Sequence, residues 1–274
     1  MKNSVMLLLA ACYLNPLMGS VHYIKEESKL PTDAKELYID LIKKTVANTI
    51  YEDASFYGPF NSHARENGDD HPVNAHTMVG MKRLNNIHMC LEDVIRNGIP
   101  GDCIETGVWR GGSTILMAAI LKAHQDKTRR VWVADSFQGL PPPNPGKYPQ
   151  DTGLDLSTIP YLAVSLETVQ SNFSKYGLLD NQVVFLKGFF KDTLPRAPIK
   201  QIALLRLDGD LYESTMDALV SLYPKLSIGG YVIIDDFGAI GACAQAVHDY
   251  RQKQGILDGM IPIDSTGVYW QKTK

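Results

Sequence analysis

At 274 residues, 45% hydrophobic and 21% charged, the chain can bury one large core, or one core with a smaller attachment. A net charge of -3 with no clustered basic stripe excludes the electrostatic footprint of a nucleic-acid binder and favours small-molecule chemistry. Cys12, Cys90, Cys103 and Cys243 are far apart, with no C-x-x-C pair and no histidine at zinc-ligand spacing, so they read as reduced, structural thiols.

Residues 1–33 read as an extension. The opening "MKNSVMLLLAACYLNPLMGS" has one lysine, an apolar stretch from Val5 to Leu14 and small residues after it, a signal-like pattern. "LAAC" (Leu9 to Cys12) also resembles a bacterial lipoprotein cleavage box. The stretch is too short to span a membrane. A cytoplasmic location is expected, because the chemistry read below needs a cytosolic cofactor.

From 34 to 98 the apolar spacing is helical. "AKELYIDLIKKTVANTI" places Leu37, Ile39, Leu41, Ile42 and Val46 near one face, and "TMVGMKRLNNIHMCLEDVI" repeats the period with Met78, Met81, Leu84, Ile87, Leu91 and Val94. The segment between them is loop-like in its Gly, Pro and Asn content. His63, His71, His76 and His88 crowd this third and read as surface groups, one of them within reach of a substrate; Arg65 and Arg83 read as solvated.

From 99 to 274 short apolar runs alternate with helical stretches. The runs "DCIETG", "RVWVADS", "QVVFLKG", "IALLRLD" and "GYVIIDD" are spaced for crossover helices, which predicts a parallel sheet covered on both faces. "MIPID" and "GVYWQK", separated by Ser265 and Thr266, read as a terminal hairpin. Five prolines between Pro141 and Pro149 rule out a regular helix or strand there, so a long loop at the mouth of the sheet follows the second strand.

"IETGVWRGGSTILMAAIL" reads as strand, glycine turn, helix. Gly107 leaves the strand, Gly111 and Gly112 permit close backbone approach, and Ser113 or Thr114 can cap the helix. The spacing is not that of the dinucleotide fingerprint. Glu105 at this turn is unsuited to a pyrophosphate but suits a ligand that carries an ammonium and a sulfonium, as S-adenosylmethionine does. Asp135, 28 residues after Gly107 at the end of the second strand, is placed to accept from ribose hydroxyls, and Asp192 from an adenine edge.

Asp208, Asp210, Asp235 and Asp236 all fall at the carboxyl ends of strands, where open α/β sheets bind ligands. Packed together without a cation they would repel, and at least one pKa would rise. An oxygen-only set favours magnesium, with manganese or calcium as alternatives. The competing structural role is helix capping by Asp210. Full proton transfer from a hydroxyl as weakly acidic as water (~15.7) to an ordinary aspartate (~3.9) would cost about 16 kcal/mol, a gap that a polarising cation reduces.

"ETGVWRGG", "ADSFQGLP", "RLDGDLYESTMDAL" and "IIDDFG" resemble the macrocin O-methyltransferase (TylF-type) family, from about Glu36 to Lys274. The resemblance implies a Rossmann-like class I methyltransferase α/β sheet, mostly parallel with a terminal antiparallel hairpin, under an N-terminal helical lid and oligomerisation segment. It implies methylation of a sugar hydroxyl with S-adenosylmethionine and Mg2+, in a homo-oligomer. By motif, Asp208, Asp235 and Asp236 would hold the metal, with Asp208 also bordering the cofactor. Asp210 would be the general base. Glu105, Thr106, Gly107, Gly111, Ser113, Asp135, Ser136, Asp192 and Met78 would surround the cofactor. Related catechol-type enzymes carry a lysine base where this chain has Leu211, which points to an aspartate base and a sugar-like hydroxyl. Two other readings stand beside this one: a metal-dependent glycosyltransferase using "DGD" as its D-x-D, and a catalytically silent binding protein on the same fold.

Overall fold

The computed structural model describes residues 33–274; the signal-like stretch and Cys12 lie outside them. Seven strands form one sheet in the order β3-β2-β1-β4-β5-β7-β6. They are β1 (Asp102–Thr106), β2 (Val131–Asp135), β3 (Val183–Lys187), β4 (Ile202–Leu207), β5 (Leu226–Ile234), β6 (Ile261–Pro262) and β7 (Val268–Gln271). The first five pair in parallel, and β7 runs antiparallel to both β5 and β6. The chain moves outward from β1 to β3 and returns to the centre as β4, so the strand order reverses between β1 and β4, where such sheets open a crevice.

Helices cover both faces. On one face α1 (Ala34–Val46), α3 (Met81–Arg96) and α4 (Gly112–Ala123) share a core that joins Ile39, Ile42, Leu84, Ile87, Leu116 and Val133. On the other, α7 (Tyr212–Leu222) and α8 (Gly241–Gln254) close over Ile104, Leu205, Leu219, Val247 and Trp270. The helices of the first third therefore pack into the body of the sheet domain. Of the expected α1 face, Ile39, Ile42 and Val46 are buried, while Leu37 and Leu41 are about half exposed: spaced four apart, they form a separate stripe. Asp33 caps α1 by accepting from the Glu36 amide at 2.8 Å.

Cys90, Cys103 and Cys243 are buried and free. No described helix is long and apolar enough to cross a membrane. The terminal hairpin needs more than a two-residue turn: five residues separate β6 from β7, and the Asp264 carboxylate accepts from the Thr266 and Gly267 amides inside it. The proline-rich loop is ordered as three single turns of 3-10 helix, at Pro149–Asp151, Leu156–Thr158 and Pro160–Leu162. The short helices α2 (Ser62–Asn67) and α6 (Phe190–Thr193), with α5 (Leu166–Lys175), complete the fold.

Candidate active site

The carboxyl ends of β1, β2, β4 and β5 converge on one crevice. Gly107 makes this possible. Its φ is +83°, and a Cβ there would sit 1.7 Å from the Asp208 carbonyl oxygen, so the turn after β1 can lie against the end of β4 only with a hydrogen in that place. The Asp208 amide donates to the Thr106 carbonyl and ties the two ends together.

On the cofactor side, the N-cap of α4 is Gly111, and no side chain caps the helix. The expected capping by Ser113 or Thr114 is corrected: Thr114 donates its hydroxyl to the Gly111 carbonyl, and Ser113 is buried in the first turn. The helix start is instead packed against the lid segment, where the Gly112 amide donates to the His76 carbonyl at 2.8 Å. Met78 lies two residues on from that contact. Asp135 accepts from the Val108 and Phe137 amides, both at 2.8 Å, which fixes the glycine turn to the end of β2. Burial pushes its carboxyl up, and those amides oppose the rise. Ser136 donates to the Gly139 carbonyl and shapes the loop that follows. Asp192 is exposed on α6.

Glu105 is 1% exposed and is cross-strand partner to Arg206, which is fully buried. Arg206 donates to Glu105, to Asp235 and, at 2.9 Å, to Asp208. Glu105 Oε2 and Thr106 Oγ1 are buried without a hydrogen-bond partner among the described residues. Burial pushes the Glu105 carboxyl up to about 8, with Arg206 opposing and Asp208 and Asp235 adding to the rise. A buried acceptor oxygen without a donor fits a cationic ligand group such as an ammonium.

Asp208, Asp210 and Asp236 bring carboxylate oxygens within 4.8 Å of one another. Burial and their neighbours' charges push all three pKa values upward. That is the electrostatic condition a divalent cation relieves, and the all-oxygen donor set fits magnesium. Asp235, expected among the ligands, is turned elsewhere: Arg206 takes one of its oxygens and Arg83 the other. Arg83 also donates to Asp264 at 2.9 Å, so a chain of charges runs Glu105, Arg206, Asp235, Arg83, Asp264. The expected capping alternative for Asp210 is not realised. The N-cap of α7 is Leu211, and the carboxylate that meets the α7 amides is Asp151.

The two arginines read as solvated are buried. Arg83 is 5% exposed, and Arg65, at 1%, donates to the Ala47 and Asp53 carbonyls and to Asp70, bracing the loop before α3. Among the histidines, His63 is exposed and His88 faces Glu36 and Glu92 between α1 and α3. His71 reaches the Tyr161 hydroxyl of the proline-rich loop at 3.0 Å, and His76 the Tyr176 hydroxyl at 2.8 Å. Asp151 lies in no quoted motif, and Arg206, although it opens "RLDGDLYESTMDAL", has no role assigned by the resemblance. The signal for Arg206 is a charge inside the otherwise apolar run "IALLRL", which in a sheet buried on both faces demands partners.

The profile of the macrocin-O-methyltransferase (TylF) family matches residues 54–272. An 8-demethyl-8-(2,3-dimethoxy-alpha-L-rhamnosyl)-tetracenomycin-C 4'-O-methyltransferase of Streptomyces olivaceus is 55% identical over 247 residues, 88% of this chain and 94% of the relative. A mycinamicin III 3''-O-methyltransferase of Micromonospora griseorubida is 52% identical over 252 residues, 89% of this chain and 99% of the relative. The solved structure of the O-methyltransferase NovP superposes with a TM-score of 0.86 at 54% identity, covering 88% of this chain and all of that one. The glycosyltransferase reading thus gives way to methyl transfer: the chain is an O-methyltransferase that belongs to the macrocin-O-methyltransferase (TylF) family.

Proposed function

We propose that this enzyme transfers a methyl group from S-adenosylmethionine to a hydroxyl of a sugar carried on a natural product, with a divalent cation, Mg2+, at the acidic cluster. One observation carries the reading. A buried carboxylate with a free oxygen, Glu105, and a convergent trio of carboxylates are joined through the same buried arginine, Arg206, whose Nη1 donates both to Glu105 and to Asp208 of the trio. A cationic donor suits the first, and a cation beside a hydroxyl acceptor suits the second.

The donor, when bound, supplies the electrophilic methyl on its sulfonium, and Glu105, Gly107, Gly111, Ser113 and Asp135 line the turn that would hold it. Asp208 and Asp236 would hold the ion, which supplies Lewis acidity that makes the acceptor hydroxyl easier to deprotonate. Asp210 removes the hydroxyl proton as the oxygen attacks. The C–S bond breaks as the C–O bond forms, and the proton leaves on Asp210. Asp235, Arg206 and Arg83, bonded in a chain, hold the acidic strand ends in place. The segment between α1 and α3, which meets the start of α4 at His76 and the proline-rich loop at His71, forms with that loop the cover that excludes water. As the donor is a cytoplasmic metabolite, the reaction belongs in that compartment.

The relatives' names direct the test. The enzyme is incubated with labelled S-adenosylmethionine and either mycinamicin III or the 2,3-dimethoxyrhamnosyl tetracenomycin as acceptor, with Mg2+ or with EDTA. Label in an acid-stable methyl ether on the sugar, lost with EDTA and restored by Mg2+, supports the reading. Label transfer to nitrogen or carbon, or full turnover in EDTA, contradicts it.

A further inference from the structure

The Asp151 side chain is fully buried, although it lies in the proline-rich loop, most of whose neighbouring residues are exposed. Its two oxygens accept from the Tyr212 amide at 2.7 Å and the Glu213 amide at 3.1 Å, the first turn of α7. An exposed helix start ordinarily takes its cap from the residue just before it. Here the local N-cap, Leu211, has no side-chain acceptor, and the cap comes from 61 residues away in sequence. Withdrawing that carboxylate would leave two α7 amides without their acceptor.

The turn that α7 follows is the one that carries Asp210. Asp210 has φ +58°, a conformation a non-glycine residue keeps only when its surroundings hold it. On one side it is held by its own amide donating to Asp236 and by the Asp208 amide on Thr106. On the other side the chain enters α7 through the Leu211 amide on the Gly209 carbonyl, and Asp151 fastens the next two amides. The Tyr148 ring, in the same loop, lies 5.8 Å from the Tyr212 ring. The far end of the loop is pinned separately: Trp109 of the glycine turn donates its indole N–H to the Tyr161 carbonyl at 2.9 Å.

We propose that Asp151 is a positioning residue, which clamps the proline-rich loop onto the Tyr212 and Glu213 amides and so fixes the aim of Asp210 from the lid side. The inference rests on Asp210 being the base. Its consequence is that the base is aimed only while the loop is down, which links cover and chemistry through one carboxylate. A displacement of about 1 Å at a reacting group can cost on the order of 100-fold in rate.

The test compares Asp151→Asn, Asp210→Asn and the double variant with mycinamicin III or, where it gives more product, the tetracenomycin rhamnoside. Asp151→Asn is expected to lower kcat by about 10- to 100-fold with KM for S-adenosylmethionine within about twofold. Added to Asp210→Asn it should slow the residual rate by less than about twofold, because there is no base left to aim. A loss of equal size in both backgrounds overturns the proposal, since Asp151 would then act other than through Asp210. If Asp210→Asn keeps the parent rate, it is the base assignment that fails. Hydrogen exchange on the unmodified protein gives a check that needs neither an acceptor nor a folded variant. The Tyr212 and Glu213 amides should exchange together with those of Asp151 and Leu154, whereas rapid loop exchange with the α7 amides still protected overturns the clamp.

Discussion

Glu105 on β1 and Arg206 on β4 are register partners, and their side chains form an ion pair at the centre of the sheet with neither charge in contact with water. A pair so placed is costly to assemble and costlier to break, because removing one partner strands the other. Arg206 serves Glu105, Asp208 and Asp235 at once, so three carboxylates depend on it. Arg206→Met is therefore expected to destabilise the protein by about 3–5 kcal/mol, read from the urea midpoint at unchanged slope. Adding Glu105→Gln should return part of the loss, whereas a fully additive pair would show that the two residues do not interact.

Gly107 separates crowding from backbone conformation. Gly107→Ala places a methyl group on the Asp208 carbonyl, while Gly177, at φ +67°, has nothing within 4 Å of the position a Cβ would take. Gly177→Ala is expected to cost about 1 kcal/mol from the left-handed backbone alone. Gly107→Ala is expected to cost at least about 2 kcal/mol more and to abolish methyl transfer. Equal unfolding midpoints for the two variants would show that β1 and β4 can separate freely.

His76 sets an acid limit on stability. Burial, with Lys175 and Arg110 nearby, holds its pKa down to about 4, against 6.5 in the unfolded chain. Between those values the unfolded chain binds the proton and the folded one does not, so stability falls as pH drops. The contribution is complete above about 6.5 and is lost progressively towards 4. Denaturation across that window should show a shallower decline for His76→Gln than for the parent. Superimposable curves would mean that His76 titrates normally in the fold.

Much of the architecture is legible in local patterns, because a strand buried on both faces needs a continuous apolar run and a helix facing a sheet needs a 3.6-residue stripe. The runs at 102–106, 131–135, 183–187, 202–207 and 226–234 are the five parallel strands. The four strand-end aspartates could be placed at one edge by the same logic. Their orientations could not. Asp235 and Asp236 are adjacent, yet one turns to Arg83 and Arg206 and the other to the acidic cluster. That choice depends on an arginine 152 residues away in sequence. The same distance problem hides Asp151, whose meaning lies in two amides of another element, and the cap read onto Asp210 is supplied from the loop instead.

The account stands on Asp208 and Asp236 holding a cation beside Asp210, and titration calorimetry with Mg2+ and Mn2+ tests this without an acceptor. The unmodified protein should take up one ion per chain, and Asp208→Asn and Asp236→Asn should each weaken uptake by at least about tenfold. No uptake by the parent protein, or undiminished uptake by the double Asp208→Asn, Asp236→Asn variant, would contradict it.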